Sequence, residues 1–328
     1  MLFATPIIFL LSLLALIWSA DRFVLGAAAL AGRLGISMAT VGLTVVALGT
    51  SAPEILVSAT AAWQNSTALA LGNAQGSNIA KISLVLGTVL IMARLPVSPT
   101  LLRSQSLILL GATLLLGAML HDRFLGRIEG LVLLAGLFAF IGWTLWQSQN
   151  NPLLAQAAAE EAAEAEAAAG ASRSLGNALW LTLIGLAVLL AASRGLVWSA
   201  VELARTLGVS ELIIGATIVA IGTSLPELAA AISSSIKGHH GMTLGNIVGS
   251  NVFNIFAVVG VAGMITPATF ESAIWHRDYL FVLISALTLL ILMQIYGRRQ
   301  GTIPRLYGIL LLMMYAVYLW LNFRALSA

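Results

Sequence analysis

The sequence contains no cysteine and few charged residues. The absence of cysteine excludes disulfide bonds and thiolate metal sites. Only 9% of the residues are charged, whereas about a quarter are charged in a typical soluble domain. The formal net charge is +3 and the basic residues are scattered along the chain, so a surface for nucleic acid is not expected. Together these features exclude a soluble globular protein of this length.

Apolar residues fill the sequence instead. They make up 59% of the chain, and the mean hydropathy is +0.98. We predict an all-α integral membrane protein with about ten transmembrane helices. The ten apolar runs that can each cross a hydrocarbon core of about 30 Å are residues 3–19, 37–63, 70–93, 104–120, 128–147, 175–193, 210–236, 243–266, 278–296 and 304–323.

One segment of the chain occurs twice. Residues 42–87 reappear as residues 215–260, displaced by 173 positions without a gap, and 18 of the 46 aligned positions are identical. The identical residues concentrate in two motifs, G-T-S-x-P-E and L-G-N-x-x-G-S-N, whereas most apolar residues between them differ. A duplication that preserves these polar residues has kept a polar site rather than a packing pattern, and that site is expected between the two halves of the chain.

The repeats divide the chain into halves with five predicted spans each. Because five is odd, the second half enters the membrane from the opposite side, and the repeats are inverted. We assign residues 1–147 to the first repeat, 148–174 to an acidic Ala/Glu-rich linker and 175–328 to the second repeat. Alternate loops carry nine Lys or Arg residues on the linker side and six on the other, which predicts a cytoplasmic linker and an outside N-terminus.

The first motif of each repeat gathers oxygen atoms on one face of a helix. Thr50, Ser51 and Glu54 share a face because they are three and four residues apart. Pro53 lacks the N–H that would bond the Gly49 carbonyl, so that oxygen is expected to be free. An acid in mid-span marks a functional site, and such oxygens suit hard cations such as Ca²⁺. The second copy repeats the set with Thr223, Ser224, Glu227, Pro226 and the Gly222 carbonyl.

The second motif of each repeat adds a polar stripe. Asn73, Ser77 and Lys81 follow one another at intervals of four residues, so they lie on one helix face. Their counterparts in the second copy are Asn246, Ser250 and Asn254, and Asn78 and Asn251 lie beside the stripes. Glycines four residues apart are expected to let the helices pack closely, and they are Gly72, Gly76, Gly245 and Gly249.

The doubled motifs resemble the α-repeats of the cation/Ca²⁺ exchanger superfamily, and the length and span number are similar to its prokaryotic sodium/calcium exchangers. The resemblance implies a core of the second, third, seventh and eighth spans, across which long first and sixth spans slide to alternate access. It implies a secondary active antiporter that exchanges Ca²⁺ for Na⁺ around Glu54 and Glu227. The metal ligands that it implies are Ala47, Thr50, Ser51, Glu54, Ser77, Ala220, Thr223, Ser224, Glu227, Ser250 and Asn254, with Asn73, Asn78, Asn246 and Asn251 in support.

Lys81 departs from the family's pattern. Four residues after the Ser of G-S-N the family places Asp or Asn, as at Asn254, whereas the first copy has Lys81. Glu54 and Glu227 together match the charge of one Ca²⁺, but a charged Lys81 cancels half of it. Three interpretations stay open. Lys81 is a tethered cation that replaces one Na⁺, or it carries a proton and makes the exchange H⁺-coupled. In the third interpretation the site no longer binds Ca²⁺, and the protein carries another cation or is a non-transporting membrane scaffold.

The remaining expectations concern partners and location. No H-E-x-x-H or G-x-S-x-G motif accompanies the acids, so we expect no enzymatic activity. No nucleotide-binding motif is visible, and no cofactor is expected apart from the transported Ca²⁺ and Na⁺ or H⁺. The predicted partners are inorganic cations and the lipid bilayer of the cell's inner (plasma) membrane. We expect a monomer or a weak oligomer.

Overall fold

The computed structural model describes residues 4–97, 101–151, 156, 174–209, 218, 220–299 and 301–326. Each of the ten predicted apolar runs overlaps one main helix of the described residues, and eight of these helices are long and apolar enough to cross a membrane. They are α1 (Ala4–Leu34), α2 (Met38–Trp63), α3 (Thr67–Met92), α4 (Leu101–Leu120), α5 (Arg127–Asn150), α6 (Leu175–Thr206), α7 (Leu225–Ile236), α8 (His240–Ile265), α9 (Ile274–Arg298) and α10 (Arg305–Leu326).

Two parts of the prediction fall partly or wholly outside the described residues. The seventh predicted span begins at residue 210, but residues 210–217 are not described, and a short helix, Ala220–Gly222, precedes α7. The linker lies almost entirely in residues 152–173, of which only Gln156 is described. The division into two repeats and a linker therefore stays a prediction at its boundaries.

α1 and α6 are longer than their predicted apolar runs. They contain 31 and 32 residues, respectively, whereas the predicted runs ended at residues 19 and 193. Polar residues such as Asp21 and Arg194 lower the hydropathy beyond those points, but alanine and leucine around them continue to favour the helix. At 1.5 Å per residue, each helix is about 45 Å long, which exceeds the hydrocarbon core of the membrane.

Four two-residue strands link the loops in pairs. β1 (Leu95–Pro96) follows α3 and pairs antiparallel with β4 (Thr302–Ile303), which precedes α10. β2 (Phe124–Leu125) precedes α5 and pairs antiparallel with β3 (Ala268–Thr269), which follows α8. Two loops that pair must lie on the same side of the membrane. An even number of helices lies between the loops of each pair, which agrees with this requirement. Exchanging the two halves maps one pair onto the other, as inverted repeats require.

The two halves also share a local departure from α-helical geometry. α3 contains a π-helical turn at Lys81–Leu86, and α8 contains one at Asn254–Val259. The two turns begin 173 residues apart, at the positions where the family's pattern places the last polar residue of each stripe. π-Turns inside α-helices are frequent at functional sites. Lys81 and Asn254 therefore occupy equivalent positions in the backbone as well as in the sequence.

α8 is buried in the centre of the bundle, against α2. Every residue from Met242 to Phe253 is buried. A Cβ atom on Gly245 would lie 2.5 Å from the Ala39 carbonyl oxygen, and one on Gly249 would lie 2.5 Å from that of Leu43. These two glycines therefore permit the close helix packing that was predicted. The prediction is wrong for Gly72, because a Cβ atom there would meet no atom of the described residues within 4 Å.

Candidate cation site

The two copies of the first motif have different backbones. α2 continues as a helix through Pro53, and it buries Thr50, Ser51 and Glu54. In the second copy the chain forms a turn at Thr223 and Ser224, and α7 begins at Leu225. Glu227 consequently lies in the first turn of α7, where the positive end of the helix dipole favours a carboxylate.

Lys81 lies between the two glutamates. Its ammonium nitrogen Nζ is 3.3 Å from Glu54 Oε1 and 3.1 Å from Glu227 Oε1. It also donates to the Ser51 hydroxyl at 2.9 Å and to the Ser250 carbonyl oxygen at 3.5 Å. The exposed fractions of the three charged side chains are 0% for Lys81 and 1% for each glutamate. Four oxygens from α2, α7 and α8 therefore surround one ammonium group that is shielded from solvent.

Several buried oxygens of the predicted site residues have no hydrogen-bond partner within the described part of the chain. They include the Oε2 atoms of Glu54 and Glu227, the Ser224 hydroxyl and the Asn254 Oδ1 atom, and Asn254 itself is fully buried. Buried polar groups in proteins are normally hydrogen-bonded, and exceptions point to an ion, a water molecule or a function. These atoms are carboxylate, hydroxyl and amide oxygens, which are ligands that hard cations prefer.

The supporting asparagines join the core helices to one another. The Thr50 hydroxyl of α2 donates to Asn246 Oδ1 of α8 at 3.3 Å. Asn78 Nδ2 of α3 donates to the Asn251 carbonyl of α8 at 3.4 Å. Since Asn78 and Asn251 are counterparts in the two repeats, this bond lies where the repeats meet. In α3 Asn73 Nδ2 donates to the Ser58 hydroxyl of α2 at 3.0 Å, so these amides fix the helices that carry the acids.

Two carbonyl oxygens in or just before the first motif, those of Ala47 and Gly222, have partners of their own. The Ala47 carbonyl accepts a hydrogen bond from Thr50 Oγ1 at 3.4 Å. The Gly222 carbonyl, which was expected to be free, accepts from Ser193 Oγ of α6 at 3.4 Å. Ser193 could hardly be predicted from the sequence, because it lies in an apolar run outside the repeated motifs. Through this hydrogen bond Ser193 connects α6 to the short helix Ala220–Gly222 that precedes α7.

The structure brings five of the predicted site residues into one cluster, and these are Ser51, Glu54, Lys81, Glu227 and Ser250. Ser250 takes part through its carbonyl rather than through its hydroxyl, which donates to the Ile247 carbonyl at 3.4 Å. Ser77 and Asn254 are buried on α3 and α8, and Ser224 is buried in the turn before α7. Ala220 begins the short helix before α7, and Thr223 is half-buried in the turn.

The charge of the cluster limits what it can bind. With Lys81 protonated, the two glutamates and the ammonium leave a net charge of −1. The described residues contain no group of three or more His, Cys, Asp or Glu side chains that could hold a metal ion. A bound cation would therefore depend on neutral oxygens in addition to the two carboxylates. It would also have to share the carboxylates with Lys81 or displace it.

Two inverted helical repeats around buried acids define a membrane transporter of the secondary type. The family model of the sodium/calcium exchanger protein matches residues 4–146 and 177–324. The chain belongs to this family, which is a family of transporters rather than enzymes. The match confirms the resemblance predicted from the doubled motifs, the helical multi-pass membrane fold and the antiporter class.

Relatives match the chain along almost its whole length. A putative antiporter, CaxA, from Alkalimonas amylolytica is 43% identical over 98% of this chain and 99% of its own. The inner membrane protein YrbG from Escherichia coli is 35% identical over 98% of both chains. A solved structure of the sodium-calcium exchanger NCX_Mj matches with a TM-score of 0.82 and 30% identity, covering 97% of this chain and 98% of that chain.

Proposed function

We propose that the protein exchanges Ca²⁺ for Na⁺ by alternating access around Glu54 and Glu227. The observation that carries this proposal is the meeting of one acid from each repeat around a common centre, 3.3 and 3.1 Å from the Lys81 ammonium. A carboxylate buried in a membrane span is costly unless it is paired. A site built from both repeats is also accessible from either side when the repeats exchange conformations.

The names of relatives support Ca²⁺ and Na⁺ as the exchanged ions. One relative, MaX1 from Methanosarcina acetivorans, is named a sodium/calcium exchanger and is 26% identical over 95% of this chain and 97% of its own. The unpartnered carboxylate, hydroxyl and amide oxygens are also suitable ligands for both ions. We place the protein in the inner membrane because the relative YrbG is named an inner membrane protein. We place the linker in the cytoplasm because of the distribution of Lys and Arg residues.

A proton-coupled exchange is the second candidate, and the contacts of Lys81 favour it. Its ammonium occupies the position between the carboxylates that a divalent cation would approach. Ca²⁺ that displaces this group would also repel its charge, and loss of a proton removes that repulsion. In that case Ca²⁺ moves in one direction and H⁺ in the other.

Uptake of ⁴⁵Ca²⁺ into proteoliposomes tests the two candidates. Purified wild type and Lys81→Asp are compared with an outward gradient of Na⁺ or of H⁺, imposed in turn. We expect wild-type uptake to respond to the Na⁺ gradient, and a response to H⁺ alone would replace the first candidate by the second. If wild type is inactive while Lys81→Asp transports, Ca²⁺ is not the substrate of the natural protein. Inactivity of both proteins with every cation tested would identify a non-transporting scaffold.

A further inference from the structure

Lys81 holds the two acids together when no cation is bound. Its ammonium makes contacts to oxygens of α2, α7 and α8, and all three charged side chains are buried. The group is attached to α3, so it stays with the site at every stage of a transport cycle. A soluble counter-ion, by contrast, has to arrive from one side of the membrane and leave on the other.

The contact of Lys81 with the two acids matters for coupling, because an antiporter exchanges ions obligatorily when its empty site cannot change sides. A site with two uncompensated carboxylates has to be dehydrated as it changes sides, and burying unpaired charges is costly. A bound cation lowers that cost, so the loaded site changes sides and the empty site does not. In this chain the ammonium of Lys81 supplies a positive charge and hydrogen bonds to the empty site.

The net charges of the loaded and empty states support the same conclusion. With Lys81 charged throughout, the empty site carries −1 and the site with Ca²⁺ carries +1. Without the lysine the same states would carry −2 and 0, so only the loaded state would be neutral. Lys81 therefore makes the two states equal in the magnitude of the charge that is buried, and it removes the electrostatic advantage of the loaded state.

We infer that the unloaded transporter changes sides with Lys81 in place of a bound cation, so the protein also releases its substrate cation without a counter-cation. This inference rests on the proposed function and concerns the return step of the same cycle. It predicts net downhill flux in addition to exchange. It also assigns to Lys81 the control of coupling, a role that its counterpart Asn254 has no charge to perform.

Efflux from proteoliposomes tests the inference. Vesicles loaded with ⁴⁵Ca²⁺ and thiocyanate are diluted into N-methylglucamine medium that either contains or lacks Na⁺. The permeant anion balances charge, and trapped pyranine reports the internal pH. We expect wild-type efflux without Na⁺ to proceed within about threefold of the rate with Na⁺, and the internal pH to stay constant. Efflux that needs Na⁺, or internal acidification in step with efflux, would overturn the inference.

Two glutamine substitutions complete the experiment. In Lys81→Gln the ratio of efflux without Na⁺ to efflux with Na⁺ should fall at least about tenfold relative to wild type. Lys237→Gln is the matched control, because Lys237 pairs with Asp21 outside the site, and it should behave as wild type. If Lys81→Gln fails to fold, the wild-type comparison with and without Na⁺ still decides. Absence of flux under every gradient would instead refute the proposed function, whereas exchange that strictly requires Na⁺ would refute only this inference.

Discussion

Replacing Lys81 with glutamine removes a positive charge that contacts both buried glutamates. The ammonium lies 3.3 Å from Glu54 Oε1 and 3.1 Å from Glu227 Oε1. At an effective dielectric constant of about 20, each contact provides about 5 kcal/mol of Coulomb attraction, and much of this is offset by the cost of burying the charges. Removal of one partner from a buried ion pair costs about 3–5 kcal/mol. We expect a loss of that size in the free energy of unfolding in cation-free buffer.

Added Ca²⁺ should restore much of the stability that Lys81→Gln loses. The divalent ion pairs with the two uncompensated carboxylates, and at about 100 times its Kd a ligand adds about 2.7 kcal/mol. Wild type should gain less, because Ca²⁺ competes with the ammonium for the same oxygens. Thermal unfolding followed by tryptophan fluorescence, with and without Ca²⁺, measures both effects. Apparent midpoints are compared at one scan rate, because membrane proteins often unfold irreversibly.

Lys237→Gln is the control for this prediction. Lys237 Nζ lies 2.5 Å from Asp21 Oδ1, but the two side chains are 26% and 40% exposed. An exposed ion pair contributes about 0–1 kcal/mol, so this variant should unfold close to wild type. The reasoning is refuted if Lys81→Gln is as stable as Lys237→Gln without cations and shows no response to Ca²⁺.

Three further substitutions test other contacts. Glu227→Gln should lower the initial rate of cation exchange in proteoliposomes at least about tenfold, and a wild-type rate would remove Glu227 from the site. Asn254→Asp adds a carboxylate to a site of net charge −1 and should raise Ca²⁺ affinity in titration calorimetry at least about tenfold, whereas unchanged affinity would place Asn254 away from the ion. Gly249→Val inserts atoms where a Cβ would lie 2.5 Å from the Leu43 carbonyl oxygen. It should cost about 1–3 kcal/mol of unfolding free energy, and a cost no larger than that of Gly72→Val would contradict the packing.

The membrane architecture could be predicted from the sequence because lipid imposes apolar runs of a minimum length. The odd number of runs in each repeat further predicted the inversion, and the strand pairs of the loops agree with it. The length of α1 could not be predicted in the same way. Asp21 ends the apolar run, but the helix continues to Leu34, since hydropathy measures transfer into lipid and not helix formation.

The residue types of the site could also be predicted, because the duplication preserved them in both copies. The sequence could not predict which groups meet. The contacts of Lys81 with both acids depend on how α2, α3 and α7 pack against one another. The turn at Thr223 is equally invisible in the sequence, because the same motif is helical in α2. In this copy the Gly222 carbonyl accepts a hydrogen bond from Ser193 of α6, a residue outside the repeated segment.

Uphill accumulation of Ca²⁺ tests the central claim most directly. Proteoliposomes that contain wild type, or the double variant Glu54→Gln with Glu227→Gln, are loaded with Na⁺ and diluted into Na⁺-free medium with ⁴⁵Ca²⁺. The medium contains no permeant anion, so the inside-negative potential that uncoupled Ca²⁺ release builds up opposes further release. The account therefore predicts that internal Ca²⁺ transiently exceeds the external concentration with wild type only, and that dissipating the Na⁺ gradient abolishes the excess. Internal Ca²⁺ that never exceeds the external concentration, or equal accumulation by the double variant, would contradict the account.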